Sequence, residues 1–148
     1  MKRIAALKAL SIDHHHGLVL ARKAKMVGTA GLQPNELQEI RMELRSHAET
    51  VLISHFEIEE SCIAAALNTL NDPDIDQLIN RLYREHEALR QLFSSVDICN
   101  TAHLKQLGEL LEQHIRFEER ELFEVAQTRL DDQALQAIAA ACSQENDK

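Results

Sequence analysis

Residues 35–70, NELQEIRMELRSHAETVLISHFEIEESCIAAALNTL, run for 36 positions without a glycine or a proline. Leu, Ala, Glu, Gln and Arg, all strong helix formers, dominate the stretch, so it reads as one helix of roughly 54 Å at 1.5 Å per residue. Pro34 stands at its first turn, and Asn71-Asp72-Pro73-Asp74 stops it and restarts the chain, with Asp72 as N-cap and Pro73 at N1. Upstream, Ile4 to Val27 carries a helical apolar pattern (Leu7, Leu10, Leu18, Ala21) that the segment Gly28 to Gly31 closes. Downstream, a third helix spans about 74–96. After the connection Asp97 to Thr101 a fourth spans about 102–129, and Asp131 caps a short fifth helix over about 131–143. The polar tail beyond it is expected to fray.

Four long helices with short connections predict an all-α fold: an antiparallel up-down four-helix bundle over about residues 4–129 with a short C-terminal helix, the whole of 1–148 forming one domain. With four Phe, one Tyr, no Trp, four Gly and two Pro, the chain lacks the material for a β-sandwich or barrel. Gly108, inside the fourth helix, costs about 1 kcal/mol of propensity and points to a close helix contact.

The net charge of −8, with no local basic run, argues against nucleic-acid binding. No apolar stretch approaches the length of a membrane span, and Lys8 interrupts the mildly apolar N-terminus too early for a signal peptide. Cys62, Cys99 and Cys142 are odd in number and lack a Cys-x-x-Cys spacing, so neither a disulfide framework nor a structural zinc site is expected. They read as small core residues, and the cytoplasm is the expected compartment.

Two segments share one grammar. His55-Phe56-Glu57-Ile58-Glu59-Glu60 and His114-Ile115-Arg116-Phe117-Glu118-Glu119 both read His, apolar, polar, apolar, Glu, Glu. Residues four apart on a helix lie about 40° apart in projection, so His55 shares a face with Glu59 and His114 with Glu118. Phe56, Ile58, Ile115 and Phe117 flank those faces as a dry shell. In the first and third helices, His15 and His86 each precede a leucine, Leu18 and Leu89, by three positions. The shared spacing favours His15 of the triplet His14-His15-His16 as the inward residue, with His14 as the alternative. Four imidazoles and two carboxylates on inner stripes are too costly as filling, because buried charges are paired or metal-bound. Mixed imidazole and carboxylate ligation suits Fe, Mn or Zn, and two carboxylates between two histidine pairs suggest a dinuclear centre. The Glu-x-x-His pairs of ferritin-like bundles are absent: Ile12, Leu52, Tyr83 and Leu111 stand three before His15, His55, His86 and His114.

The other polar residues read more plainly. His47 and His103 lie too far along their helices to join the site, Tyr83 reads as core packing, Glu85 as a solvated residue, and Glu57, Glu60 and Glu119 as solvent-side charges.

The order His, His-x-x-x-Glu, His, His-x-x-x-Glu on four successive helices resembles the hemerythrin-like (HHE cation-binding) family over about residues 7–126. The flanks Ser11-Ile12-Asp13-His14-His15 and Glu118-Glu119-Arg120-Glu121-Leu122-Phe123 also resemble its first and last metal-binding segments. By position the resemblance implies His15, His55, His86 and His114 as terminal ligands, with Glu59 and Glu118 bridging two non-haem irons; Mn or Zn could substitute. Oxygen-carrying members have a fifth histidine, in a His-x-x-x-His pair on the third helix, where this chain has Leu82 and Arg90. Four histidines with two glutamates are similar to the branch that repairs iron–sulfur centres, whose members usually add a cysteine-containing N-terminal module. The implied function is binding or sensing of a small diatomic, O2 or NO; the alternative is a stress-related redox enzyme or iron donor in iron–sulfur repair. No nucleic acid and no membrane is implied as a partner.

Overall fold

The computed structural model describes residues 2–27, 31–97 and 100–146, and these are helical apart from short connections. Helix α1 spans Ala5–Met26, α2 residues 34–68, α3 Pro73–Ser94, α4 residues 101–129 and α5 Asp132–Asn146. The N-terminal part of the α1–α2 turn (Gly28 to Ala30) and Cys99 lie outside the described residues. The connections behave as their residue types dictate. Asp72 accepts from the Asp74 amide at 2.9 Å with Pro73 at the first turn, and Asp131 accepts from the Ala134 amide at 2.8 Å. Asn100 starts α4 by accepting from the His103 amide. Asn71 takes a left-handed φ of 52°, which ends α2 two residues before the expected Leu70. Nothing after Cys142 breaks a helix, so α5 runs on to Asn146 where fraying was expected.

The four long helices form the antiparallel up-down bundle, with α1 against α2 and α4, α3 against α2 and α4, and α5 packed across α1 and α2. At Gly108 α1 and α4 come into backbone contact: a Cβ there would stand 2.6 Å from the Ala21 carbonyl oxygen and 2.8 Å from the Lys25 amide nitrogen. Only glycine permits that approach.

The interior is layered. One apolar cluster contains Leu7, Leu10, Leu67, Ile79, Leu82, Phe117 and Phe123. A second contains Ala21, Leu44, Leu52, Phe56, Leu89, Leu104 and Ile115. Along every long helix a buried histidine falls between the two: His14, His55, His86 and His114. Apolar plugs at both ends of the bundle therefore enclose a polar belt in the middle. In this layering the titratable groups are shielded from water and meet one another rather than hydrocarbon alone.

Candidate metal centre

Three stretches of the long helices widen to π-helical turns, and two of them begin at the glutamates singled out by sequence: Glu59–Ala64 in α2 and Glu118–Leu122 in α4. A π turn advances less than the usual 100° per residue, so consecutive side chains diverge less around the axis. As a result Glu59 and Glu60 both reach toward α3, and Glu118 and Glu119 both reach toward α1.

His55, Glu59, His86, His114 and Glu118 converge as expected, each at most 2% exposed. The fourth histidine is His14, not His15. His14 is buried and its Nε2 lies 2.8 Å from Glu118 Oε2, whereas His15 is solvent-exposed. The buried stripe of α1 is Leu7, Leu10, His14, Gly17, Ala21, Ala24, a 3–4 spacing that places His15 a further 100° round the helix. Leu18, whose spacing favoured His15, is only half-buried.

Two groups of four ligand atoms result. His14, His55, Glu59 and Glu118 form one; Glu59, His86, His114 and Glu118 form the other; within each, all four atoms lie within 4.8 Å of one another. Both carboxylates belong to both groups. Their Nε2–Oε separations include 3.1 Å for His55–Glu59, 3.1 Å for His86–Glu59 and 2.5 Å for His114–Glu118. Despite this crowding, Glu59 Oε2, Glu118 Oε2 and His114 Nε2 are buried without a hydrogen-bond partner. These atoms crowd together without the alignment of hydrogen bonds, as donors gathered round common points do, so the donor set fits a pair of cations.

Each imidazole is held from behind. Opposite the buried Nε2, Nδ1 of His14 meets Glu119 at 2.6 Å, that of His55 meets Asp13 at 3.0 Å, that of His86 meets Glu60 at 2.5 Å, and that of His114 meets Glu85 at 2.8 Å. An Nδ1–H donated to a carboxylate fixes the tautomer that leaves Nε2 free to bind a metal. The solvent-side reading of Glu60 and Glu119, and the solvated reading of Glu85, are therefore corrected. The π turns explain the first two. Glu85 lies beside His86 but serves His114 across the α3–α4 interface, a contact no single-helix projection displays.

Three of these corners repeat a further motif. Arg3 bonds Glu119 and lies over Phe123, which stacks on His14 with ring centroids 5.1 Å apart. Arg90 bonds Glu60 and lies over Phe56, which stacks on His86 at 3.9 Å. Arg81 bonds Glu85 and lies 4.2 Å over Phe117, which is tilted against His114. The dry shell of Phe56, Ile58, Ile115 and Phe117 is buried as expected.

Electrostatics follow from the crowding. Burial opposes a charge on His14, but the carboxylates of Glu118, Glu119 and Glu59 around it outweigh that and raise its pKa to about 10. His86 is raised to about 9 against burial by Glu118 and Glu59, and His55 and His114 are raised likewise. Glu118 is held well below the usual carboxylate range: burial pushes it up, but His114 and its other partners pull it further down. The belt is thus a negative field that demands positive charge at its centre.

The remaining residues separate clearly. Tyr83 is 45% exposed and takes no part in core or centre, contrary to the packing expected for it. Leu82 is buried among apolar residues and Arg90 pairs with Glu60, so α3 brings one histidine to the belt. His103 sits at the bundle end against the Leu92 carbonyl and Ser95. His47 stays outside both ligand groups, but it is buried, its Nε2 has no partner, and burial lowers its pKa to about 4. Cys142 is buried in the core and Cys62 half-buried; both are free thiols. Among the described residues no helix is long and apolar enough to cross a membrane.

Comparison with curated proteins and with solved structures returned no match. The family profile described as the hemerythrin HHE cation-binding domain matches residues 6–126, which takes in every residue of both ligand groups. With the bundle, the two shared glutamates and that match over most of its length, the chain belongs to the hemerythrin HHE cation-binding domain family.

Proposed function

We propose that this chain holds two non-haem iron ions, with His14 and His55 on one, His86 and His114 on the other, and Glu59 and Glu118 bridging them. It uses them to bind or sense a small diatomic, O2 or NO, in the cytoplasm. The observation that supports this most directly is the sharing of both buried carboxylates by two four-atom donor groups. Imidazole and carboxylate donors accept manganese or zinc as well, but iron is the choice that joins this donor set to diatomic chemistry.

Bound iron would supply redox-active positions for O2 or NO; the rest is the work of the chain's own residues. Asp13, Glu60, Glu85 and Glu119 accept from Nδ1 and keep each Nε2 aimed inward, where a bound metal would take the place of its proton. Leu52, Phe56, Leu111 and Ile115 line a small cavity beside His14, His55 and His114. That cavity is about the size of a single water molecule, too small for any bulky group. With α3 contributing one histidine, each donor group offers four protein atoms, and a bound iron would have room for an exogenous group. On the α2 and α4 side the cavity wall is apolar, Leu52, Phe56, Leu111 and Ile115, a surface that uncharged diatomics cross more readily than ions do.

The test is to expose reduced, iron-loaded protein to NO, to O2 and to a bulky isocyanide and follow the visible spectrum. The expected result is a change within seconds with the diatomics and none with the isocyanide. Equal reaction with all three, or none with any, would contradict the reading.

A further inference from the structure

Three of the four corners of the belt end in an arginine: Arg3 on Glu119, Arg81 on Glu85 and Arg90 on Glu60. The fourth does not. Among the described residues Asp13 pairs only with His55, and at 35% exposure its side chain is the most open of the four outer carboxylates. It stands where a surface pocket of about 240 Å³ between α1 and α2 meets the interior, beside Thr50, Ser54, His55, Ile58 and Cys142. Asp13 and His55 also line the small cavity next to the ligand atoms, so the two spaces share a wall made of a carboxylate and an imidazole.

A second groove, of about 470 Å³ between α2 and α3, also backs onto that cavity. Its shared wall is the hydrocarbon of Leu52 and Phe56, and its mouth carries Arg90, Glu57 and an Arg45 that pairs with Glu49 and Asp97. Phe56 is clamped between His86 and the Arg90 guanidinium. A hydrated divalent cation exchanges its waters for oxygen and imidazole donors step by step, and a wall of hydrocarbon such as Leu52 and Phe56 offers it none.

Resting on the reading of the belt as a metal centre, we propose that divalent cations pass between solvent and the His14/His55 half of the centre through the α1–α2 pocket, across Asp13, and not through the α2–α3 groove. The arginines seal the other three corners; Asp13 offers the first inner oxygen and hands the ion to donors already aimed at it. The two halves of the centre are then unequal in exchange, the His14/His55 position filling and emptying directly and the His86/His114 position behind it.

A plug on a route changes the rates of filling and emptying together and leaves the equilibrium alone. Ser54→Trp places an indole in the α1–α2 pocket, and Ile53→Trp places one in the α2–α3 groove one residue away; neither residue is a ligand or a ligand's hydrogen-bond partner. Cobalt(II) alone serves as the probe: its visible absorption reports uptake by stripped protein and loss from loaded protein to a chelator. Ser54→Trp is expected to slow uptake and loss several-fold in equal proportion, with unchanged affinity, while Ile53→Trp matches the parent protein in both. Unchanged rates in Ser54→Trp, or slowing confined to Ile53→Trp, would overturn the route. Should Ser54→Trp fail to fold by its melting curve, Val51→Trp plugs the same pocket and is read the same way. Failure of the parent protein itself to take up cobalt would remove the metal centre, and the route with it.

Discussion

The Nε2 atoms of His14 and His55 face each other at 3.0 Å in the buried belt of the bundle. Both rings are fixed from behind by carboxylates on Nδ1, so neither can turn its lone pair away. Two such nitrogens tolerate this distance only with a proton or a cation between them. This makes His14 the decisive residue of the triplet. His14→Ala should lose the metal of the His14/His55 half, and His15→Ala should keep the full complement, as read by metal analysis after gel filtration. The reverse outcome would restore the register favoured by Leu18.

The carboxylates behind the imidazoles should matter nearly as much as the ligands. Glu60→Ala removes the acceptor of His86 Nδ1 and should weaken metal binding by about 10–100-fold. Glu57→Ala, an exposed neighbour on the same helix, should have no effect. Competition titrations against a chromophoric chelator distinguish the two.

How much of this was legible in the sequence depends on which interaction fixes each residue. The bundle was readable because Pro34, Asp72-Pro73, Asn100 and Asp131 punctuate it by local backbone chemistry. The convergence of His55, Glu59, His86, His114 and Glu118 was readable because i,i+4 pairs and core stripes follow the helical period. His14 was readable too, but from the small residues Gly17, Ala21 and Ala24 rather than from Leu18: α1 buries its least bulky side to approach α4 at Gly108. Glu60 and Glu119 were hidden by the π turns that begin one residue earlier, and Glu85 by its partner lying on another helix. A uniform 100° projection contains none of that information.

His47, outside both ligand groups, provides a further pH signature. Its imidazole is buried without a partner for Nε2, and its pKa falls from 6.5 to about 4 through burial, with Asp13 partly opposing and His55 and His16 adding to it. The unfolded chain therefore binds the extra proton, so the stability is present above pH 6.5 and is lost as pH falls toward 4. Between pH 7 and pH 5 the parent protein should lose about 2 kcal/mol more than His47→Gln does. Urea unfolding of both proteins across that range measures the difference; parallel losses would show that His47 does not titrate on unfolding.

Metal and fold should be linked. Without cations the belt must bury two carboxylates side by side and carry protons on its imidazoles to offset them, a cost that bound metal removes, and binding to the folded state alone adds stability by mass action. Iron-loaded protein should melt at least about 10 °C above stripped protein. Superimposable melting curves would show that the bundle does not depend on the centre.

The central claim is a pair of cations sharing Glu59 and Glu118, and an anaerobic titration with iron(II) followed by metal analysis addresses it most directly. The parent chain should saturate at two irons, and Glu59→Ala, which removes a donor common to both ligand groups, should lose the pair together. Saturation at a single ion, with Glu59→Ala still fully loaded, would contradict the shared-carboxylate centre.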